Sequence, residues 1–332
     1  MSFMPADLVI GVDIGGTKIA TGLVDGGGAI LYQTRAPMAA NSGAEAGLAA
    51  VVAAIKSVAA KTGEAGEGEL RGIGLCAPGP LDPEAGVIIN PPNLPCWRNY
   101  PLTAKVHGAL ALPVKLDNDG NAAALAEAQW GAGRGYRNVF YATLGTGIGT
   151  GIVFDGRIYH GRTGAAAEGG HVSIDYRGPR CGCGKPGCIE ALAAGPAIAR
   201  RARAKLEAGG QSSLRQLAGN NLEAVSSEMV GRAFAQGDAL AREVLLETLD
   251  LLALWLGNMV DLLEPDIVVL GGGVATMLSP LLDALRERLP GCCINSRCRE
   301  IPLVMARYGP DAGIAGGAAL CRMEPAARGA RP

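Results

Sequence analysis

Two short phrases in this chain resemble each other, Leu23-Val24-Asp25-Gly26 and Val153-Phe154-Asp155-Gly156. Each copy ends a strand-like run that follows a glycine turn, and this repeated grammar restricts the fold more than any other feature. At the start, Leu8 to Asp13, Ile19 to Asp25 and Ile30 to Thr34 read as a three-strand meander, turning at Gly15-Gly16 and at Gly26-Gly27-Gly28. An alanine-rich helix over 44–62, a strand over 72–76, a helix over 102–110 and a short strand over 114–116 complete the order βββαβαβ. The grammar restarts with a strand over 139–144, the turn Gly145-Thr146-Gly147 and a strand over 151–155. A duplicated half predicts two α/β lobes of common design facing each other across a cleft, and 332 residues are too many for one core. The expected division is 1–118 for the first lobe and 119–309 for the second. The second would hold a helical region over 196–263 and a strand over 266–270. A helix over 310–322, rich in small residues, would return to the first lobe, and 323–332 would form a disordered tail.

Thirty basic against 31 acidic residues give a net charge of -1, so no basic field is available to hold a nucleic-acid backbone. The nine cysteines include an adjacent pair, Cys292 and Cys293, and scattered singles at Cys76, Cys96, Cys298 and Cys321, a usage that suits a reducing compartment better than a disulfide scaffold. Met1 to Asp7 shows no basic segment followed by an apolar one. The apolar stretch 249–263 is interrupted by Asp250, Asn258 and Asp261, which reads as a buried helix and not a membrane span. The expectation is a cytoplasmic protein without a membrane partner.

The run His171-x9-Cys181-x-Cys183-x4-Cys188 gathers four soft or borderline ligands in a glycine-rich stretch, the donor set of one tetrahedral zinc. Turns at Gly182, Gly184 and Gly187 would let the three thiolates converge. A second signal is Asp13-Ile14-Gly15-Gly16-Thr17-Lys18, a glycine turn at a strand end where backbone N–H groups, a hydroxyl and a cation can meet a phosphate. The chain returns as a strand, so this is not the helix-opening P-loop. Gly145-Thr146-Gly147 repeats the motif in the second half, and Asp13 would hold Mg2+ through water. Gly271-Gly272-Gly273, directly after a buried strand, offers either a flat surface for a nucleotide base or ribose, or a simple strand-to-helix turn. Before the helix over 122–130, Asp117-Asn118-Asp119-Gly120-Asn121 supplies more polar groups than capping needs. Asp119, near a helix start, suits a general base, and Asn118 can both donate to and accept from sugar hydroxyls.

Together, Asp-Ile-Gly-Gly-Thr-Lys, Asn-Asp-Gly-Asn-Ala-Ala, Gly-Thr-Gly-Ile-Gly, Glu-x-Gly-His and Cys-x-Cys-Gly-x-x-Gly-Cys-x-Glu resemble the ROK family of sugar kinases and repressors over about Val9 to Gly317. The resemblance implies an α/β, two-lobed actin-like, ribonuclease-H-like fold with central mixed sheets and a cleft between lobes. It implies transfer of the ATP γ-phosphoryl group to a sugar hydroxyl, usually the 6-hydroxyl of a hexose, and a homodimer. By motif position, Asp119 is the base, and Glu168, His171 and Glu190 contact the sugar near its anomeric end. His171, Cys181, Cys183 and Cys188 hold a structural zinc, so that His171 serves both metal and sugar.

The loops Ala77-Pro78-Gly79-Pro80-Leu81-Asp82 and Pro91-Pro92-Asn93-Leu94-Pro95-Cys96-Trp97 also resemble sugar-site loops of the family, with contacts from Gly79 and Asn93. Pro80 stands where the N-acetylmannosamine kinases carry a basic residue, which favours glucose. Gly169, the variable residue of Glu-x-Gly-His, stands where a bulky apolar residue is usual, implying looser packing behind Glu168. The leading expectation is an ATP- and Mg2+-dependent glucose kinase. An N-acetylhexosamine kinase, a fructokinase and a sugar-responsive repressor are the alternatives. The repressors normally carry an added helix-turn-helix, for which a first strand at Leu8 leaves no room.

Overall fold

The computed structural model describes residues 7–64 and 68–323. The expected tail, apart from Met323, lies outside the described residues. In chain order the elements are β1 (Leu8–Ile14), β2 (Lys18–Val24), β3 (Ile30–Pro37), α1 (Ala44–Ala59), β4 (Leu70–Ala77), the hairpin β5 (Leu81–Asp82) and β6 (Val87–Ile88), α2 (Leu102–Leu110), β7 (Val114–Asn118) and α3 (Asp119–Gln129). Then follow β8 (Asn138–Leu144), β9 (Ile148–Phe154), β10 (Arg157–Ile158), α4 (Ile189–Ala193), α5 (Gly195–Glu207), α6 (Leu214–Leu217), α7 (Ser227–Ala235), α8 (Ala239–Leu263), β11 (Ile267–Gly271), α9 (Gly273–Leu278), α10 (Leu282–Arg288), β12 (Leu303–Met305) and α11 (Ala312–Arg322).

Two compact units result. One gathers the residues through Gly135, Val153–Ala166 and those from Pro310 onward; the other comprises Tyr136–Ile152 and Ala167–Gly309. The first unit is built on a sheet of order β3-β2-β1-β4-β7, antiparallel through β3, β2 and β1, and parallel through β1, β4 and β7. Alternation along β1 sorts its residues by face. Leu8, Ile10, Val12 and Ile14 join Val51, Ile55 and Val58 of α1 and Val106 of α2 in one apolar core. Over 44–64 the α1 segment is long and apolar enough to cross a membrane by length and composition. Its Val51, Ile55 and Val58 are fully buried in this core instead.

Gly11 and Asp13 of β1, with Gly74 and Cys76 of β4, face the other way, where α11 lies. A Cβ on Gly74 would fall 1.6 Å from the Gly317 carbonyl oxygen, and one on Gly11 would fall 1.8 Å from that of Ile314. Helix backbone therefore rests directly on sheet backbone. In turn α11 carries α3, with Gly316 close enough that an added Cβ would sit 2.7 Å from Ala122. This contact keeps α3 in the first unit, whereas the sequence division put the break at its start; small-on-small packing leaves no apolar stripe to read.

A second sheet, of order β10-β9-β8-β11-β12, repeats the design, and in it β8, β11 and β12 are parallel. Both sheets thus run third, second, first, fourth, fifth in strand order. The 25-residue α8 is capped by Asp238, whose side chain accepts from Ala241 N. Its Trp255, fully buried, meets Phe140 edge-on with ring centroids 5.9 Å apart.

Gly74→Ala should destabilise the protein by about 1–3 kcal/mol or more, since neither backbone can yield to the new methyl group. Denaturant unfolding of the variant against wild type measures it.

Candidate functional site

The parallel register of the first sheet places Asp13 of β1 beside Cys76 of β4, and Cys76 beside Asp117 of β7. Carboxylates thereby collect at the ends of these strands. Burial pushes the Cys76 thiol well above its ordinary pKa, and the charges of Asp13, Asp119 and Asp117 add to it. Burial likewise raises Asp13, while Lys18 and Arg35 pull it back. An added Cβ on Gly313, next to the start of α11, would lie 2.5 Å from the Asp13 carboxyl carbon, so glycine there is what admits this carboxylate.

The turn after Asp13 is closed by Gly15 N donating to Lys18 O at 2.9 Å, with Thr17 and Lys18 exposed. Gly16 packs on the proline-rich loop, since its Cβ would stand 2.6 Å from Asn93 O. That loop is not loose. Leu94 and Trp97 are buried, Trp97 Nε1 donates to Ala44 O at 3.2 Å, and Asn93 is left exposed. Gly79 lies beside Asn118, whose Nδ2 would be 3.7 Å from a Cβ there. The first unit therefore joins Asn93 to the glycine turn and Gly79 to the polar run before α3.

Asn118 is the cap of α3, its Oδ1 accepting from Gly120 N at 2.9 Å and Asn121 N at 3.4 Å. Capping starts the helix at Asp119, three residues before the apolar pattern does, and leaves the Asp119 side chain exposed at the helix N-terminus. Beneath it, Asp117 is buried; its Oδ1 accepts from Asn118 N and Asn121 Nδ2, and its Oδ2 pairs with His160 Nε2 at 2.6 Å. Burial lowers the His160 pKa, but the hydrogen bond and charge of Asp117 outweigh it and hold it above its ordinary value. Sequence reasoning passed over His160 because its partner is 43 residues away.

In the second unit, the ligand atoms of His171, Cys181, Cys183 and Cys188 all lie within 4.8 Å of one another. Cys181 Sγ is 3.5 Å from His171 Nδ1, and Cys183 Sγ is 3.6 Å from Cys188 Sγ. A tetrahedron with Zn–S bonds of about 2.3 Å has edges of about 3.8 Å, so the cluster fits zinc with Nδ1 as the nitrogen ligand. Two glycines, Gly184 and Gly187, are structural requirements of this knuckle, while Gly182 has open space around it. Gly184, at φ 91°, makes the turn in which its N–H donates to Cys181 O, and a Cβ on Gly187, at φ 63°, would strike Asp175 O at 1.7 Å.

Glu190, at the start of α4, links this knuckle to the second glycine loop. Its Oε1 is 3.6 Å from Cys181 Sγ and 3.9 Å from His171 Nδ1, and its Oε2 accepts from Ile148 N at 3.0 Å. A Cβ on Gly147 would lie 2.6 Å from Oε2, which explains that glycine. Glu168 is exposed, and its carbonyl accepts from His171 N at 3.0 Å. Behind it the packing is tight, contrary to the expectation from Gly169: a Cβ there would lie 2.8 Å from Thr150 Oγ1, and Trp255 Nε1 donates to Gly169 O at 3.0 Å.

A pocket of about 560 Å³ opens beside Gly145 and Thr146. Three helices present their first turns to it: Gly195 and Pro196 of α5, Ser227 and Glu228 of α7 after its cap Ser226, and Gly273 and Val274 of α9. Gly195 N donates to Gly145 O at 2.8 Å, fixing the loop to the start of α5. Gly271-Gly272-Gly273 is the strand-to-helix turn from β11 to α9, with Gly272 at φ 88° as the cap and Gly273 in the pocket wall. Helix N-termini favour anions, so the pocket suits a phosphorylated ligand. Sequence reasoning missed its α5 and α7 walls, since neither turn carries a glycine-rich signature.

Two mixed five-stranded sheets of like order, with glycine turns at Asp13–Lys18 and Gly145–Gly147, make this a protein of the actin-like ATPase fold. The chain belongs to the ROK family, whose model matches residues 9–324. It is 35% identical over 320 residues to the glucokinase of Thermotoga maritima, with 96% of this chain and 98% of that protein covered. A solved ROK family glucokinase from Streptomyces griseus, in complex with glucose and AMPPNP, is 34% identical with a TM-score of 0.80, covering 95% of this chain and 99% of that one. A ROK family transcriptional regulator, a homolog of the E. coli MLC protein, has a TM-score of 0.84 at 28% identity, covering 96% of this chain and 78% of that one.

Because its folded pKa is raised, His160 contributes stability fully below its unfolded pKa of about 6.5 and loses it as pH rises through the folded value. His160→Gln should therefore cost about 1.5–3 kcal/mol near pH 6, with the gap to wild type narrowing above the folded pKa. Unfolding curves from pH 6 to 9 read this directly. Cys183 is exposed, so Cys183→Ser should leave the fold intact while zinc retained after a mild chelator drops to a small fraction of wild type, as counted by metal analysis.

Proposed function

We propose that this chain is an ATP-dependent hexose kinase that phosphorylates the 6-hydroxyl, with glucose as its preferred sugar. The observation that carries the reading is Glu190, one carboxylate shared between an anion-binding glycine loop and a Cys/His knuckle. Its two oxygens tie a phosphate subsite to a rigid group of sugar ligands.

In this reading, ATP occupies the pocket beside Gly145–Gly147 and Gly271–Gly273, its phosphates meeting the first turns of α5 and α7. The hairpin Gly15–Lys18 serves the transferred phosphate, and Asp13 holds Mg2+ through water. His171 Nδ1 and the thiolates of Cys181, Cys183 and Cys188 would hold a structural zinc, which would leave His171 Nε2 to hydrogen-bond the sugar beside Glu168 and Glu190. Gly79, Asn93 and Asn118 hold the remaining hydroxyls. As O6 attacks the γ-phosphorus, its proton passes to the Asp119 carboxylate, the bond to the β,γ-bridging oxygen breaks, and ADP leaves. Zinc supports the site and does not enter the reaction. Glucose is favoured over N-acetylmannosamine by Pro80 and Asn93. We assign the enzyme to the cytoplasm as a homodimer, the state expected of the family.

Release of ADP from Mg-ATP, measured with glucose, mannose, fructose, N-acetylglucosamine and N-acetylmannosamine, should respond most to glucose. Silence across the panel together with tight sugar binding would make the protein a sensor akin to the regulators. Asp119→Asn should lower kcat by about 10²–10⁴-fold while sugar binding persists in calorimetry. Near-normal turnover would remove Asp119 from the role of base.

A further inference from the structure

Glu168 is exposed, so its carboxylate cannot be aimed by packing around the side chain; only its backbone can aim it. That backbone has an unusual shape. Ala167 sits at φ 63°, a left-handed conformation that a non-glycine residue adopts only where its surroundings hold it. The peptide groups on either side of Glu168 are both closed on one atom: Thr150 Oγ1 donates to Ala167 O at 2.5 Å and accepts from Gly169 N at 2.9 Å. A hydroxyl can play both parts at once, and Thr150 is only 3% exposed, so no water competes for either bond. The far side of Gly169 is held by the buried Trp255 indole. Gly169 is small because Thr150 fills the space a side chain there would need.

We propose that Thr150 is a positioning residue for sugar recognition: its hydroxyl bridges Ala167 and Gly169 and thereby fixes the direction in which Glu168 meets the hexose. The inference rests on the reading of Glu168 as a sugar ligand. Its scope is narrow, since Thr150 reaches the sugar only through that backbone. It therefore acts on hexose affinity and leaves nucleotide affinity alone.

Thr150→Val keeps the shape and removes the hydroxyl, leaving a buried N–H and C=O unpaired. Its hexose KM should rise about ten-fold as Glu168 loses its fixed direction, while the ATP KM and the zinc content stay near wild type. Thr150→Ser restores the bridge and should return most of the hexose affinity. Gly169→Ala, whose methyl group displaces the Thr150 hydroxyl, should raise the hexose KM in the same selective way, and it serves if the valine variant does not fold. An unchanged hexose KM in a folded Thr150→Val, or an equal rise in the ATP KM, overturns the proposal and returns Thr150 to a packing role. A wild type that neither binds nor phosphorylates any hexose overturns the kinase reading and this one with it. A working wild type with an unaffected valine variant overturns this one alone.

Discussion

Direct contact of backbone with backbone, where α11 lies on β1 and β4, is the constraint on which the first unit depends. Three glycines, Gly11, Gly74 and Gly317, remove the side chains where the main chains come closest, so helix and sheet approach there as closely as their backbones allow. A layer this thin has no rotamers to readjust, and it transmits position faithfully. Asp13 is seated against Gly313 next to the start of α11, and α3 is seated on Gly316 of the same helix. The carboxylate assigned to magnesium and the one assigned to proton transfer thus take their places from one small-residue helix.

The second unit obtains rigidity by different means. Polar side chains fasten its irregular segments: Glu190 to the glycine loop, Thr150 and Trp255 to the two sides of Gly169, and the Cys/His knuckle to the segment after Glu168. These loops have no core of their own, and each buried donor or acceptor must find a partner. The partners come from β9, α4 and α8, which are regular elements. Exposed site residues such as Glu168 are consequently presented by backbone held from behind.

Much of this was readable in the sequence where the signal is local. The strand-and-glycine grammar, the ends of α2 and the gathering of His171, Cys181, Cys183 and Cys188 depend on neighbouring residues, and the structure bears them out. What was not readable depends on distant partners. His160 meets Asp117 across 43 residues and Trp255 meets Gly169 across 86, with no periodicity to announce either. The tight packing behind Gly169 was misjudged because its filler, Thr150, comes from another strand. The pocket walls at the first turns of α5 and α7 were missed for a related reason, since a helix N-terminus binds anions through its main chain, whatever its side chains are.

Cys76 stands between Asp13 and Asp117 on adjacent strands, its Sγ donating to Gly313 O at 3.1 Å and Val12 O at 3.4 Å. With its proton held so firmly, it puts a neutral, polarisable atom where a further acid would have made the cluster repel itself. The same circumstance makes it chemically silent. Oxidants and alkylating agents attack thiolate, and the cysteine beside the carboxylate assigned to magnesium is held as the thiol by burial and by the charges around it.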